Sequence, residues 1–101
     1  MAWHEFMSVS DFGSLACRKF VLGSTEILVA KLSDGFYAVD DLCSHADASL
    51  CDGEIEGDQV VCPLHFAKFN LRSGAVTEPP ALEGIKTYKV EVRNDIIFIE
   101  V

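Results

Sequence analysis

Residues 59–74, with the sequence QVVCPLHFAKFNLRSG, carry the pattern that decides the predicted fold. The short stretches 59–62 and 68–71 are apolar and β-branched or aromatic, as is typical of strands, and they flank the tetrapeptide CPLH. The proline of this tetrapeptide fixes φ for a turn, which lets the side chains of Cys62 and His65 project in the same direction. The stretch therefore predicts two strands joined by a loop with two candidate metal ligands.

A second pair of candidate ligands, Cys43 and His45, lies further toward the N-terminus. Side chains two positions apart in an extended segment point to the same side, so these two can converge. Each pair lies where a predicted strand gives way to a loop, and two such loops at one end of a β-domain would bring four ligands together. Two cysteines and two histidines suit either zinc or an iron–sulfur cluster.

The rest of the chain also has the pattern of short strands separated by turn residues. We predict further strands at residues 3–9, 18–22, 25–32, 36–39, 86–92 and 96–101, with turns at 23–24, 34–35, 73–74 and 94–95 and a proline-containing loop at 78–80. A helical turn over residues 9–12, capped by Ser8 or Ser10, is also expected. About eight short strands with tight turns predict an all-β antiparallel sandwich or small barrel.

Composition narrows the partners and the compartment. The chain has 101 residues, enough for one domain, and a net charge of −8, with 16 acidic against 8 basic side chains. Such a charge disfavours nucleic acid and anionic membranes as partners and favours a basic protein surface. The sequence has neither a long apolar run nor a basic, apolar leader, so we predict a cytoplasmic protein whose four cysteines are thiols or metal ligands.

The spacing Cys-x-His followed by Cys-x-x-His resembles the Rieske [2Fe–2S] signature. The resemblance implies one [2Fe–2S] cluster, with Cys43 and Cys62 on one iron and His45 and His65 on the other. Residues 62–74 look like the second cluster loop and following strand of soluble Rieske ferredoxins, and the Pro79-Pro80 pair is similar to their proline loop. The implied fold is a Rieske-type antiparallel β-sandwich, a single domain over 1–101 with a small cluster-binding subdomain at about 42–71.

The sequence departs from the family pattern at positions that affect the second cluster loop and the reduction potential of the cluster. Phe66 stands where many relatives have glycine directly after the histidine, which concerns loop geometry rather than ligation. Ala48 and Leu64 occupy positions where high-potential Rieske proteins have a disulfide, and Phe66, Ala67 and Lys68 replace their hydroxyl donors. Fewer hydrogen bonds to the cluster sulfurs imply a low potential, at roughly −150 mV.

The resemblance implies a one-electron carrier rather than an enzyme. Its partners would be a flavin-dependent, NAD(P)H-driven ferredoxin reductase and the terminal Rieske non-haem iron oxygenase of a multicomponent aromatic-ring dioxygenase. The chain has no dinucleotide fingerprint, second metal motif or catalytic triad, so within such a system it could only be the carrier between reductase and oxygenase. Two alternatives stay open: a small Rieske subunit of another reductase, such as nitrite reductase, and a zinc-stabilised interaction module.

The remaining reactive side chains allow simple interpretations. Cys17 is interpreted as a small buried residue and Cys51 as a free thiol.

Several acidic residues surround the first loop, and they form either a solvated face or a docking patch: Asp40, Asp41, Asp47, Asp52, Glu54, Glu56 and Asp58. Leu64 and Phe66 would be apolar contacts of an interface if exposed, and Phe66 could equally pack beneath the cluster.

Overall fold

Short hairpins form most of the chain, because apolar segments of three to eight residues alternate with tight turns. The computed structural model describes residues 2–43, 48–64, 66–79 and 83–101. The strands of these residues are β1 (Trp3–Ser8), β2 (Cys17–Leu22), β3 (Thr25–Leu32), β4 (Gly35–Asp40), β5 (Glu54–Glu56), β6 (Gln59–Val61), β7 (Lys68–Asn70), β8 (Val76–Glu78), β9 (Thr87–Arg93) and β10 (Ile96–Glu100). Helix α1 (Val9–Phe12) and a 3-10 turn (Leu50–Asp52) complete the described elements.

The strands form two antiparallel sheets. The larger sheet has six strands in the order β1-β10-β9-β4-β3-β2, and the smaller one has four in the order β5-β6-β7-β8. The smaller sheet is inserted in the chain between β4 and β9, which are neighbours in the larger sheet. The cysteine of each predicted ligand pair follows a strand of a different sheet, Cys43 after β4 and Cys62 after β6.

Strand β3 separates two buried clusters of side chains. Leu28 and Ala30 point into a cluster shared with Val60 and Phe69 of the smaller sheet. Ile27 and Val29, on the opposite face of β3, pack with residues of β10 and α1, among them Ile97, Ile99 and Phe12. Because alternate residues of a strand point to opposite faces, an uninterrupted apolar run is what a strand buried on both sides requires.

Most predicted elements are confirmed, with local corrections. Ser8 caps α1 by accepting a hydrogen bond from the Asp11 N–H at 3.0 Å, as predicted. The two-residue turn between β3 and β4 is Ser33-Asp34 rather than 34–35, since Gly35 pairs with Leu32 and starts β4 with φ of +144°.

The predicted strand count and one loop boundary are also corrected. The described residues contain ten strands instead of about eight, because β5 and β8 each contain only one large apolar residue and were not predicted. Glu78, predicted to lie in a loop, pairs with Lys68 and ends β8. Only the proline itself lacks an N–H, so Pro79 does not prevent Glu78 from pairing.

Among the described residues, the structure contains no helix with the length and apolarity that a bilayer crossing requires.

Candidate metal centre

The first candidate loop leaves the larger sheet just after β4. Cys43 is buried, and its N–H donates to the carbonyl of Ala48 at 3.1 Å. Leu42 and Ser49 form an isolated antiparallel bridge, so the two arms of the loop run side by side. Residues 44–47, among them the predicted ligand His45, lie outside the described residues.

The second candidate loop leaves the smaller sheet after β6. Cys62 is fully buried, and its N–H donates to the carbonyl of Ala67 at 2.7 Å. The Phe66 N–H in turn donates to the Cys62 carbonyl at 3.0 Å, which tightens the loop. The predicted ligand His65 lies outside the described residues.

The two loops share one construction. In each, the cysteine N–H bonds to the carbonyl of a buried alanine five positions later, and the predicted histidine falls between them. Cys43 and Cys62 belong to the same buried cluster, so the fold places both predicted cysteine ligands in one core. The part of the chain that the structure describes contains no group of three or more His, Cys, Asp or Glu side chains that could hold a metal ion, and both predicted ligand histidines fall outside it.

Phe66 adopts a backbone conformation that favours glycine. Its φ is +63°, in the left-handed region, where a side chain costs roughly 1–2 kcal/mol. Phe66 is 68% exposed, so its packing against the described residues does little to offset this strain. The departure from glycine noted in the sequence therefore has a definite structural cost.

Asp41 corrects the interpretation of the acidic residues as one surface. Its side chain is almost completely inaccessible, with 1% of the residue exposed, and its carboxylate accepts hydrogen bonds from the Ser49 hydroxyl at 2.5 Å and the Cys51 N–H at 2.9 Å. Lys19 of β2 lies 3.3 Å from the same carboxylate. Asp41 thus joins the two arms of the first loop, and a buried carboxylate needs such partners.

No single sequence signal identifies that role, because the partners of Asp41 lie 8, 10 and 22 positions away. An aspartate after an apolar strand often caps the loop that follows. The position of Asp41 after such a strand is the signal in the sequence that points to this role.

The described acidic residues beside the second loop do reach solvent. Asp52, Glu54 and Glu56 line a groove of about 330 Å³ together with Cys62 and Phe66. Glu56 also pairs with Lys68 at 2.9 Å. Of the other predicted patch members, Asp40 accepts a hydrogen bond from the Tyr88 hydroxyl at 2.6 Å, and Asp47 lies outside the described residues.

Exposed apolar side chains adjoin the predicted ligands in sequence. Leu42 precedes Cys43 and is 54% exposed, and Leu64 precedes His65 and is 55% exposed. With Phe66, they form what we call the apolar rim. Large exposed apolar side chains beside a polar border are typical of a surface that contacts another protein.

The donor set fits an iron–sulfur cluster. Two buried thiols that emerge from separate loops of one core can ligate one metal atom while staying shielded from water, and burial of this kind is typical of cluster cysteines. In sequence, the predicted histidine lies two positions after Cys43 in the first loop and three positions after Cys62 in the second.

Comparison with known proteins agrees with this geometry. The family model described as the Rieske [2Fe–2S] domain matches residues 2–89. The ferredoxin component of biphenyl 2,3-dioxygenase from Rhodococcus jostii (strain RHA1) is 35% identical over 100 residues, which cover 99% of this chain and 94% of that protein.

Two solved structures are similar over nearly the whole chain. The ferredoxin of carbazole 1,9a-dioxygenase from Nocardioides aromaticivorans IC177 superposes with a TM-score of 0.90 at 28% identity, covering 98% of this chain and 97% of that one. The ferredoxin in a complex of reduced oxygenase and oxidized ferredoxin of carbazole 1,9a-dioxygenase gives a TM-score of 0.89 at 28% identity, covering 96% of this chain and 100% of that one. The predicted fold class and cofactor are confirmed. The chain belongs to the Rieske [2Fe–2S] domain family, and it is an electron carrier with a Rieske-type cluster.

Proposed function

We propose that this chain is the ferredoxin component of a multicomponent aromatic-ring dioxygenase. It would accept one electron at a time from a flavin-dependent, NAD(P)H-driven reductase and deliver it to the terminal Rieske non-haem iron oxygenase. The observation that carries the proposal is the pair of identically closed loops with buried Cys43 and Cys62, bordered by the exposed apolar rim. Similarity to dioxygenase ferredoxins along nearly the whole chain supports it.

The proposed ligands are Cys43 and Cys62 on one iron and His45 and His65 on the other. When bound, the cluster supplies a one-electron oxidation and reduction at a potential raised by its neutral imidazole ligands. Cys43 and Cys62 are buried, whereas in sequence His65 falls between the exposed residues Leu64 and Phe66, and His45 follows the exposed Leu42 by three positions. Electrons would therefore enter and leave on the histidine side.

Within a single domain over 1–101, we assign residues 42–71 to a cluster-binding subdomain. This range contains both candidate loops together with β5 and β6, and it ends just after β7. We propose no reaction chemistry of its own for this chain, whose role would be limited to carrying electrons.

The docking surface would combine the apolar rim with the acidic groove. Phe66 belongs to both, since it lines the groove with Asp52, Glu54 and Glu56. An apolar centre with acidic neighbours fits a partner surface that has an apolar contact surrounded by basic residues. A cytoplasmic location would follow from this proposal, because the reductase would draw on the cytoplasmic NAD(P)H pool.

Reconstitution tests the proposal. The purified chain with its cluster is mixed with a flavin reductase and an oxygenase encoded beside it, NADH and an aromatic substrate, and both cluster reduction and product are followed. We expect product only when all three proteins are present, and a reductive titration should give the predicted low potential. Full product formation without this chain, or failure of the reductase to reduce it, would contradict the proposal. Electron delivery to a nitrite reductase instead would favour the alternative system.

A further inference from the structure

The side chains of Cys17 and Cys51 meet outside the proposed ligand set. Their Sγ atoms are 2.6 Å apart, although the residues are 34 positions apart in sequence. Cys17 Sγ also lies 3.5 Å from the Cys51 carbonyl oxygen. Both residues are partly exposed, so a small reagent can reach them.

This cysteine pair joins the larger sheet to the arm of the first cluster loop. Cys17 is the first residue of β2, and Cys51 lies in the 3-10 turn that follows that loop. The Cys51 N–H donates to Asp41, which also contacts Lys19 of β2. Polar contacts therefore already hold the two backbones together here, and a covalent bond needs no large movement of either.

We propose that Cys17 and Cys51 form a reversible disulfide with a low-molecular-weight disulfide as oxidant, and that this bond restrains the first cluster loop and slows loss of the cluster. A cross-link between distant positions narrows the ensemble of open conformations. The opening that exposes Cys43 to solvent would become rarer.

The bond forms by two exchange steps. The Cys51 thiolate attacks one sulfur of glutathione disulfide, whose S–S bond breaks and releases one glutathione thiolate. The Cys17 thiol then loses its proton and attacks the Cys51 sulfur, which releases the second glutathione. Two protein thiols are oxidised and one glutathione disulfide is reduced to two glutathione molecules, so electrons and protons balance.

The surroundings assign Cys51 as the attacking thiol. Burial and, to a smaller extent, the hydrogen bond to Cys51 together raise the pKa of Cys17 to about 12. Burial also raises the pKa of Cys51, but the hydrogen bond from Cys17 offsets part of that rise. Because only the thiolate attacks, the exchange rate should increase roughly tenfold per pH unit while the pH stays below the pKa of Cys51.

Thiol mapping of the whole protein with its cluster tests bond formation. The protein is incubated with glutathione disulfide, quenched in acid, denatured, alkylated and digested. We expect a peptide cross-linked between Cys17 and Cys51, alkylation of Cys43 and Cys62 only, and full reversal by dithiothreitol. The variant Cys17→Ser should instead keep glutathione on Cys51, whereas Cys51→Ser, which lacks the attacking thiol, should take up little glutathione. Alkylation of both Cys17 and Cys51 after prolonged incubation would overturn the proposal.

The rate at which the protein loses its cluster tests whether the disulfide restrains the first cluster loop. Visible absorbance is followed in excess chelator for the wild-type protein with the disulfide formed and after dithiothreitol treatment. We expect several-fold slower bleaching in the oxidised form, and no such difference in the variant carrying both Cys17→Ser and Cys51→Ser. Equal rates for oxidised and reduced wild-type protein would refute the restraint, and this comparison does not depend on how well any variant folds.

Discussion

Backbone hydrogen bonds hold Cys43 and Cys62 in position within their loops. Each N–H is bonded inside its loop, to Ala48 and Ala67 respectively, so the loop itself holds the backbone of both cysteines. Both are also buried in one cluster. A site prepared in this way loses less conformational freedom on binding, and metal binding then adds its free energy to folding.

Replacing either cysteine by serine should remove the cluster. Cys43→Ser and Cys62→Ser keep the side-chain size but exchange the thiolate for a poor ligand, so the visible absorption should vanish and the free energy of unfolding should fall by several kcal/mol. Cys17→Ser is the matched control, since its side chain lies outside the proposed ligand set, and it should stay coloured. An unaltered absorption spectrum in the Cys62→Ser protein would count against the ligand assignment.

Phe66 allows backbone strain and docking to be separated. Phe66→Ala and Phe66→Gly both remove the exposed ring, but only glycine relieves the φ of +63°. The glycine variant should therefore be more stable than the alanine variant by about 1 kcal/mol in denaturant unfolding. Both should weaken oxygenase binding to a similar extent. Equal stability of the two variants would exclude strain at this position, and wild-type binding by both would exclude a docking role for the ring.

At the scale of elements, the sequence predicted what depends on local chemistry. Turn residues and apolar runs located the long hairpins, and the Cys and His spacing located the candidate loops. Strands β5 and β8 were missed because Glu54–Glu56 and Val76–Glu78 each contain one large apolar residue and show neither an apolar run nor a sustained alternation, and both strands are held by pairing with β6 and β7. The burial of Asp41 and the meeting of Cys17 with Cys51 depend on contacts between distant segments, which no local pattern encodes.

Gly53 shows how closely two of these elements approach. It follows the 3-10 turn with φ of −89°, which any residue can adopt, but an added Cβ would collide with the Val61 carbonyl oxygen next to Cys62. Gly53→Ala should therefore destabilise the protein by about 1–3 kcal/mol and speed the loss of cluster colour.

Gly23→Ala is a useful control for this prediction. Gly23 has φ of +59° and no atom near its missing Cβ, so alanine there should cost stability through strain alone and leave the rate of cluster loss unchanged. If Gly53→Ala protein held its cluster as long as the wild type, the close approach at β6 would not support the site.

At the scale of the whole molecule, we expect the distribution of acidic side chains to affect partner association more than the net charge does. The net charge of −8 attracts any basic partner at long range, without selecting a docking site. The groove, in contrast, places three exposed acidic side chains beside Phe66. Charges next to the contact should affect the association rate most, and salt should screen them over about 8–10 Å.

Removing the groove charges should slow electron transfer at low salt. We expect the triple variant Asp52→Asn, Glu54→Gln, Glu56→Gln to be reduced by its reductase several-fold more slowly than wild type at low ionic strength, with the difference disappearing in high salt. The control variant Glu5→Gln, Glu91→Gln, Asp95→Asn changes the net charge equally on the larger sheet. Identical slowing in both variants would assign the effect to net charge and not to a docking patch.

The proposed electron-carrier function depends on ligation of the cluster by histidine. Hyperfine couplings between the reduced cluster and histidine nitrogens test this ligation directly. The protein is produced with nitrogen-15 histidine, reduced with dithionite and studied by pulsed electron paramagnetic resonance. We expect two strongly coupled histidine nitrogens, and loss of this signal in His45→Ala and His65→Ala proteins that still fold. A reduced cluster without histidine coupling, or a colourless protein that contains only zinc, would contradict it.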